Sequence, residues 1–268
     1  LWKAQGEGHV YLPEHALLQS AQELLGVEAA ALQPRLTELV AGEKLIRAGD
    51  ALYLPGMHAA ETGCAKLLKR LMQTPFDPPQ IHVENALKWA EKTLGIALSP
   101  EQQEAVRRGI QEKVLVITGG PGTGKTTVLR SILAILERKS VAFVLAAPTG
   151  RAAKRMQEAT GRDAGTLHRL LEWSPQIAGF AHNEGNPLHT DMIVVDEASM
   201  VDEFLMHALL RAMPPFARLL LVGDVDQLPS VGAGNVLFDI LTSGVVPAVW
   251  LKTVFRQAAQ GGIVPAAH

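Results

Sequence analysis

Residues 114–127 read Val-Leu-Val-Ile-Thr-Gly-Gly-Pro-Gly-Thr-Gly-Lys-Thr-Thr. Val114 to Thr118 is an apolar, β-branched run without alternation, as expected of a strand buried on both faces. Glycines then occupy positions 119, 120, 122 and 124, and Thr126 to Glu137 carries apolar residues at helical spacing. A strand, a glycine-rich turn and a helix start make a phosphate loop. The glycines let successive backbone N–H groups turn toward an anion at the helix N-terminus. Gly120, Pro121, Gly122, Thr123, Gly124, Lys125, Thr126 and Thr127 are the expected nucleotide contacts. Lys125 is placed to reach the β- and γ-phosphates and the Thr126 hydroxyl to ligate Mg2+, so ATP and Mg2+ are the expected cofactors. The competing reading, a glycine-rich turn without a ligand, does not explain why a strand precedes it and a helix follows.

Further apolar runs follow at helix-length intervals: Val141 to Ala147, Met192 to Asp196, Arg218 to Val222 and a weaker one at Ala248 to Leu251. They predict a parallel sheet covered on both faces, an α/β fold. Two of these runs end in polar residues, at the strand ends where open α/β sheets bind ligands. Asp196-Glu197 supplies one carboxylate for magnesium and one to orient or deprotonate an attacking water. Asp202 and Glu203, just downstream, read instead as first-turn residues of a helix. Gln227, in Gly223-Asp224-Val225-Asp226-Gln227-Leu228-Pro229, is suited to sensing a γ-phosphate; alone it would read as a plain loop amide.

Residues 1–97 have another texture. Glu14 to Gly26 and Glu28 to Ala41 read as helices, and Lys44 to Leu54 as two short strands about a Gly49-Asp50 turn. Helix, helix and hairpin predict a mostly helical, winged-helix-like accessory domain over 1–97, extended by helices near Ala59 to Gln73 and Ala86 to Leu94. Pro75 to Pro79 is the expected linker. Residues 98–268 form the second predicted domain.

Lysine plus arginine, 25, nearly balances aspartate plus glutamate, 27, so any polyanion must be met by a local patch. The one cysteine, Cys64, has no partner for a disulfide, and no Cys/His spacing suggests zinc, which fits a reducing cytoplasmic setting. No apolar run reaches membrane length, so no membrane partner is expected. The chain starts at Leu1 and stops after an apolar stretch, which reads as a piece of something longer.

In order, these motifs resemble superfamily 1 DNA helicases, most closely the stand-alone RecD-like branch. Leu98 to Gln103 looks like the Q motif, with Gln102 at the position that reads the adenine edge. Gly119 to Thr127 is similar to motif I, Ala147 to Ala153 to motif Ia, Gly165 to Leu171 to the next DNA-contacting motif, and Val195 to Met200 to motif II. Gly223 to Pro229 looks like motif III and Val254-Phe255-Arg256-Gln257 like motif IV, which implies that Arg256 contacts the γ-phosphate. Arginines acting as fingers contribute ~10³ to 10⁵ in rate. The resemblance implies a RecA-like motor domain over 98–268, 5′–3′ movement on single-stranded DNA, a role in recombination or repair, and a second motor domain beyond this sequence. Lys125, Glu197, Gln227 and Arg256 are then the catalytic set.

Between Thr149 and Arg169 stand five basic residues and two acids. Thr149, Arg151, Thr166 and His168 are the expected contacts to single-stranded DNA, in a motor indifferent to sequence. Lys154, Arg155 and Arg162 read equally as a solvated helix face, and His168 as a core histidine. Glu172 to Asp191, rich in proline, glycine and asparagine, is an insertion long enough to be functional. It is expected to project as a hairpin about Asn183 to Asn186, the pin that splits a duplex junction. Trp173 and Phe180 are candidates for base stacking, with packing beneath the loop the favoured role for Trp173. Two rivals remain: a P-loop nucleotide kinase, which would need neither Glu197, Gln227 nor Arg256, and a nucleotide-gated DNA-binding or scaffolding module.

Overall fold

A computed structural model describes residues 1–227 and 230–255. The amino-terminal part runs α1 (Trp2–Gly6), β1 (Tyr11–Pro13), α2 (Glu14–Leu25), α3 (Ala29–Ala41), β2 (Ile46–Ala48) and β3 (Ala51–Tyr53). The strands pair antiparallel in the order β1-β3-β2. This is winged-helix order, with the hairpin where its spacing predicts and a first strand too short to show periodicity. Gly26 ends α2 at φ 66°, a left-handed stop that costs glycine little. A small core of Leu36, Leu45 and Leu52, flanked by Leu17, Leu18 and Leu54, holds the unit together.

The rest is a three-layer α/β unit. Its elements are α4 (Pro55–Gln73), α5 (Val83–Leu94), α6 (Pro100–Gln111), β4 (Val114–Gly119), α7 (Lys125–Arg138), β5 (Phe143–Ala147), α8 (Gly150–Thr160), β6 (Ala164–Thr166), α9 (Leu167–Leu170), β7 (Trp173–Ser174), β8 (Gly179–Phe180), β9 (Met192–Val195), a 3-10 turn (Ala198–Met200), α10 (Glu203–Ala212), β10 (Arg218–Gly223), α11 (Val236–Ser243) and β11 (Ala248–Leu251). Six strands pair in parallel in the order β11-β4-β10-β9-β5-β6.

Successive residues of β4 serve opposite cores. Val114 and Val116 join Ile193, Val195, Leu219 and Leu221 against α4, α10 and α11, while Leu115 and Ile117 join Val194, Leu220 and Val222 against α5, α6 and α7. With both faces covered, every position must be apolar, hence the unalternating runs. Helices α4 and α5 contribute Cys64 and Leu71 to the first core and Leu87 and Ala90 to the second. The linker is tied down as well. Lys113 Nζ donates to Thr74 O at 2.9 Å and Pro215 O at 2.7 Å, and the Phe76 ring lies under both Lys113 and Arg218. Burial pushes the Arg218 guanidinium down to about 10. Among the described residues no helix is long and apolar enough to cross a membrane.

Candidate nucleotide and nucleic-acid site

Because all six strands are parallel, their carboxyl ends share one rim, and the predicted motifs gather along it. The phosphate loop joins β4 to α7, with Gly122 at φ 77° and Gly124 at φ 86°, a region glycine enters without strain. A Cβ at Gly124 would also collide with Gln102 Nε2. Thr123 Oγ1 donates to Gly120 O at 2.9 Å, and Lys125 Nζ donates to Gly119 O and, at 3.0 Å, to Gly120 O. The ammonium therefore curls over the loop's own carbonyls, and Thr126 is exposed at the helix start.

Gln102 is buried, at 3% exposure. Its Oε1 accepts from Ser99 N at 3.0 Å, closing a capping box on α6, while its Nε2 donates to Thr123 O at 3.1 Å. The residue expected at the adenine edge thus also braces the phosphate loop. Sequence motifs alone do not reveal that second bond, since Thr123 is distant in the chain.

Asp196 and Glu197 follow β9, two strands from the loop. Asp196 Oδ1 accepts from Glu197 N at 2.9 Å. Burial raises its pKa, against the lowering effects of that N–H and the nearby Lys125 charge. Glu197 sits at φ 51°, ψ 42°, in the left-handed region. That backbone costs a residue with a side chain about 1–3 kcal/mol and persists where the surroundings over-determine it. Asp202 instead caps α10, accepting from Leu205 N at 2.8 Å, so the two acidic pairs have separate tasks.

At the end of β10, Asp224 is buried and organises the next loop. Its Oδ1 accepts from Asp226 N at 3.2 Å and its Oδ2 from Gln227 Nε2 at 3.0 Å. Sequence reading missed Asp224; its only signal was an acid directly after a strand-ending glycine.

Thr149 and Thr166 follow or end the neighbouring strands β5 and β6, where Ala147 pairs with Thr166. Each caps a helix, accepting from Ala152 N at 3.2 Å and Arg169 N at 3.1 Å. As acceptors in these bonds, both hydroxyls keep their own hydrogen to donate. Arg151 and His168 are exposed, which removes the core-histidine alternative. Arg162 instead ties α8 to α7, through Glu137 at 2.6 Å and Thr160 O at 2.8 Å.

The insertion departs from expectation in part. A tight turn does close at Asn183 and Asn186, which exchange backbone bonds at 3.1 and 3.0 Å, but a further hairpin precedes it, with β7 and β8 pairing Trp173 with Phe180 about a turn at 175–178. That Asn183–Asn186 turn is fastened down: Arg211 Nε bonds both Glu184 carboxylate oxygens at 2.8 and 2.9 Å, and Leu188 N donates to Ala212 O at 2.9 Å. Trp173 is not packed beneath the loop; it is 51% exposed, edge-on to Phe180 at 5.1 Å, and Phe180 in turn lies 5.7 Å from His168. Arg256 and Gln257 lie outside the described residues, as do Leu228 and Pro229.

A family profile described as an AAA domain matches residues 102–233. The ATP-dependent RecD2 DNA helicase of Deinococcus radiodurans is 40% identical over 275 residues, covering 97% of this chain and 37% of that protein. The chain belongs to the RecD-like helicases.

The RecD-like chain is also 44% identical over 181 residues to the RecBCD enzyme subunit RecD of Mycolicibacterium smegmatis, with 58% of this chain and 33% of that protein covered. Among solved structures it is similar to the Pif1 helicase of Candida albicans, at a TM-score of 0.45 and 25% identity over 60% of this chain and 41% of that one. The chain spans 37% and 33% of the two curated relatives.

Proposed function

We propose that the RecD-like chain is the nucleotide-binding half of an ATP-driven DNA helicase that moves 5′ to 3′ on single-stranded DNA in recombination or repair. One observation carries this reading: nucleotide-type and polynucleotide-type groups share a single sheet rim, from Lys125 through Gln227 and Glu197 to Thr149 and Thr166.

Backbone N–H groups of the phosphate loop cradle the phosphates, Lys125 swings from its carbonyls to the β- and γ-oxygens, and Gln102 meets the adenine edge. Thr126 and Asp196 would hold Mg2+, which when bound neutralises charge on the phosphate oxygens. Glu197 takes a proton from the attacking water, with its carboxylate aimed by its left-handed backbone. Gln227, steadied by Asp224, senses the γ-phosphate, and Arg256 stabilises it. Thr149, Arg151, Thr166 and His168 hold the strand by its phosphates, which carry no sequence information.

In this reading residues 98–268, together with α4 and α5 on the two faces of their sheet, form the first motor domain. The expected boundary at 97 therefore moves back to the end of β3, and residues 1–53 are the accessory domain; a second motor domain completes the catalytic cleft. The β7–β8 hairpin meets the duplex junction. The deciding experiment is unwinding by the full-length protein on substrates with only a 5′ or only a 3′ single-stranded tail. Unwinding from the 5′ tail is expected; unwinding from the 3′ tail alone would overturn the assignment.

A further inference from the structure

Helix α6 begins between two segments that meet over the phosphate loop. Gln102 reaches one of them, through Thr123 O. Its neighbour Glu101 reaches the other: Glu101 Oε2 accepts from the backbone N–H of Lys252 at 2.8 Å and of Thr253 at 3.2 Å. A carboxylate in the first turn of a helix ordinarily needs only the helix dipole and water. Here its donors lie 151 and 152 residues away, just past the end of the edge strand β11. The same segment then crosses the loop, where Phe255 N donates to Gly122 O at 2.9 Å and Val254 lies against Gly122. Helix start, phosphate loop and the 252–255 strap thus close a triangle, each side made of hydrogen bonds. The next residue in sequence is Arg256.

We propose that Glu101 is a positioning residue: by fixing the 252–255 strap to the start of α6, it sets how Arg256 approaches the γ-phosphate. This rests on the reading of Arg256 given above. The acid therefore acts on the transition state through the arginine and leaves ground-state nucleotide binding to the phosphate loop. The two bonded N–H groups also hold the Glu101 carboxyl below the ordinary carboxylate value, so the clamp stays charged at neutral pH.

The test compares Glu101→Ala, Glu101→Gln, Arg256→Ala and the Glu101→Ala/Arg256→Ala double variant in the full-length protein. It reads kcat and KM of the DNA-stimulated ATPase and affinity for a non-hydrolysable ATP analogue. Misplacing a catalytic group by about 1 Å can cost up to about a hundredfold in rate. Glu101→Ala is therefore expected to lower kcat by about ten- to a hundredfold, with KM and analogue affinity within about threefold. Glu101→Gln keeps an acceptor oxygen at the same reach and should restore most of kcat. In the double variant, loss of Glu101 should add nothing to loss of Arg256. An equal proportional loss in both backgrounds, a loss expressed in KM and analogue affinity, or an unchanged kcat in Glu101→Ala would each overturn the proposal. If Arg256→Ala itself keeps wild-type kcat while Lys125→Ala abolishes turnover, the Arg256 reading fails and this one with it. Should Glu101→Ala melt early, Glu101→Asp, which withdraws the carboxylate by one methylene, carries the same comparison.

Discussion

The side-chain amide of Gln102 donates to the carbonyl oxygen of Thr123 at 3.1 Å, while its other end closes the cap of α6 at Ser99. One buried side chain thereby joins a helix start to the apex of the phosphate loop. Gln102→Ala removes both bonds and leaves a buried carbonyl without its partner. Net loss of such bonds costs about 1–3 kcal/mol. Thermal melting should show that loss together with weaker nucleotide affinity, whereas Gln103→Ala, whose amide bonds Leu98 O, should leave nucleotide affinity unchanged.

Glu197 offers a case where stability and activity should part. Its left-handed backbone is strained for glutamate and relaxed for glycine. Glu197→Gly is expected to raise or hold the melting temperature while abolishing hydrolysis and sparing ATP binding. Glu197→Gln should match its activity without the stability gain. A Glu197→Gly variant that is markedly less stable would show that the side chain itself anchors the turn.

Burial is the main cause of the raised pKa of Glu203, reinforced by the negative charges of Glu61, Asp239 and Asp202 and opposed by Cys64. An acid with a raised native pKa binds protons more tightly in the folded state. Stability therefore rises as pH falls from above that raised value toward the ordinary 4.5, and falls as pH rises through the window. Glu203→Gln should be more stable than wild type at pH 8, by melting temperature, with the gap closing as pH is lowered to 5. A gap that stays constant or widens on acidification would contradict this.

The hairpin insertion divides into a fastened part and a free part. Leu188 is core and Glu184 is held by Arg211, so removing all of residues 174–189 would damage the fold. Trp173 and the turn at 175–178 face outward and can be changed cleanly. Trp173→Ala, or replacing that turn by Asn-Gly, should cut unwinding by the full-length protein at least tenfold and spare DNA-stimulated ATPase. Loss of both activities would assign the hairpin a structural task only.

The isolated 268-residue chain should bind ATP weakly and hydrolyse it slowly, with little stimulation by DNA. Titration with a fluorescent ATP analogue and a steady-state ATPase assay check this. Robust DNA-stimulated turnover would mean that a second motor domain is not needed to complete the site.

Sequence by itself determined the motor's plan. The runs at Val114, Met192 and Arg218 are unalternating because both faces of a parallel sheet are covered, and Gly122 and Gly124 are glycines because the loop turns left-handed there. Such constraints are local, so they are written in consecutive residues. Tertiary structure decided the rest. The edge strand β6, only Ala164–Thr166, owes its existence to pairing with β5 and has no periodicity to betray it. The exposed hairpin turn at 175–178 exists because Trp173 pairs with Phe180, while Arg211 fastens the Asn-Glu-Gly-Asn turn at 183–186 that looks most turn-like in sequence. Glu101 meets donors that only folding supplies, 151 and 152 residues away. A hydrogen bond between segments so far apart leaves no pattern along the chain, because its geometry exists only once the sheet has brought β11 beside β4.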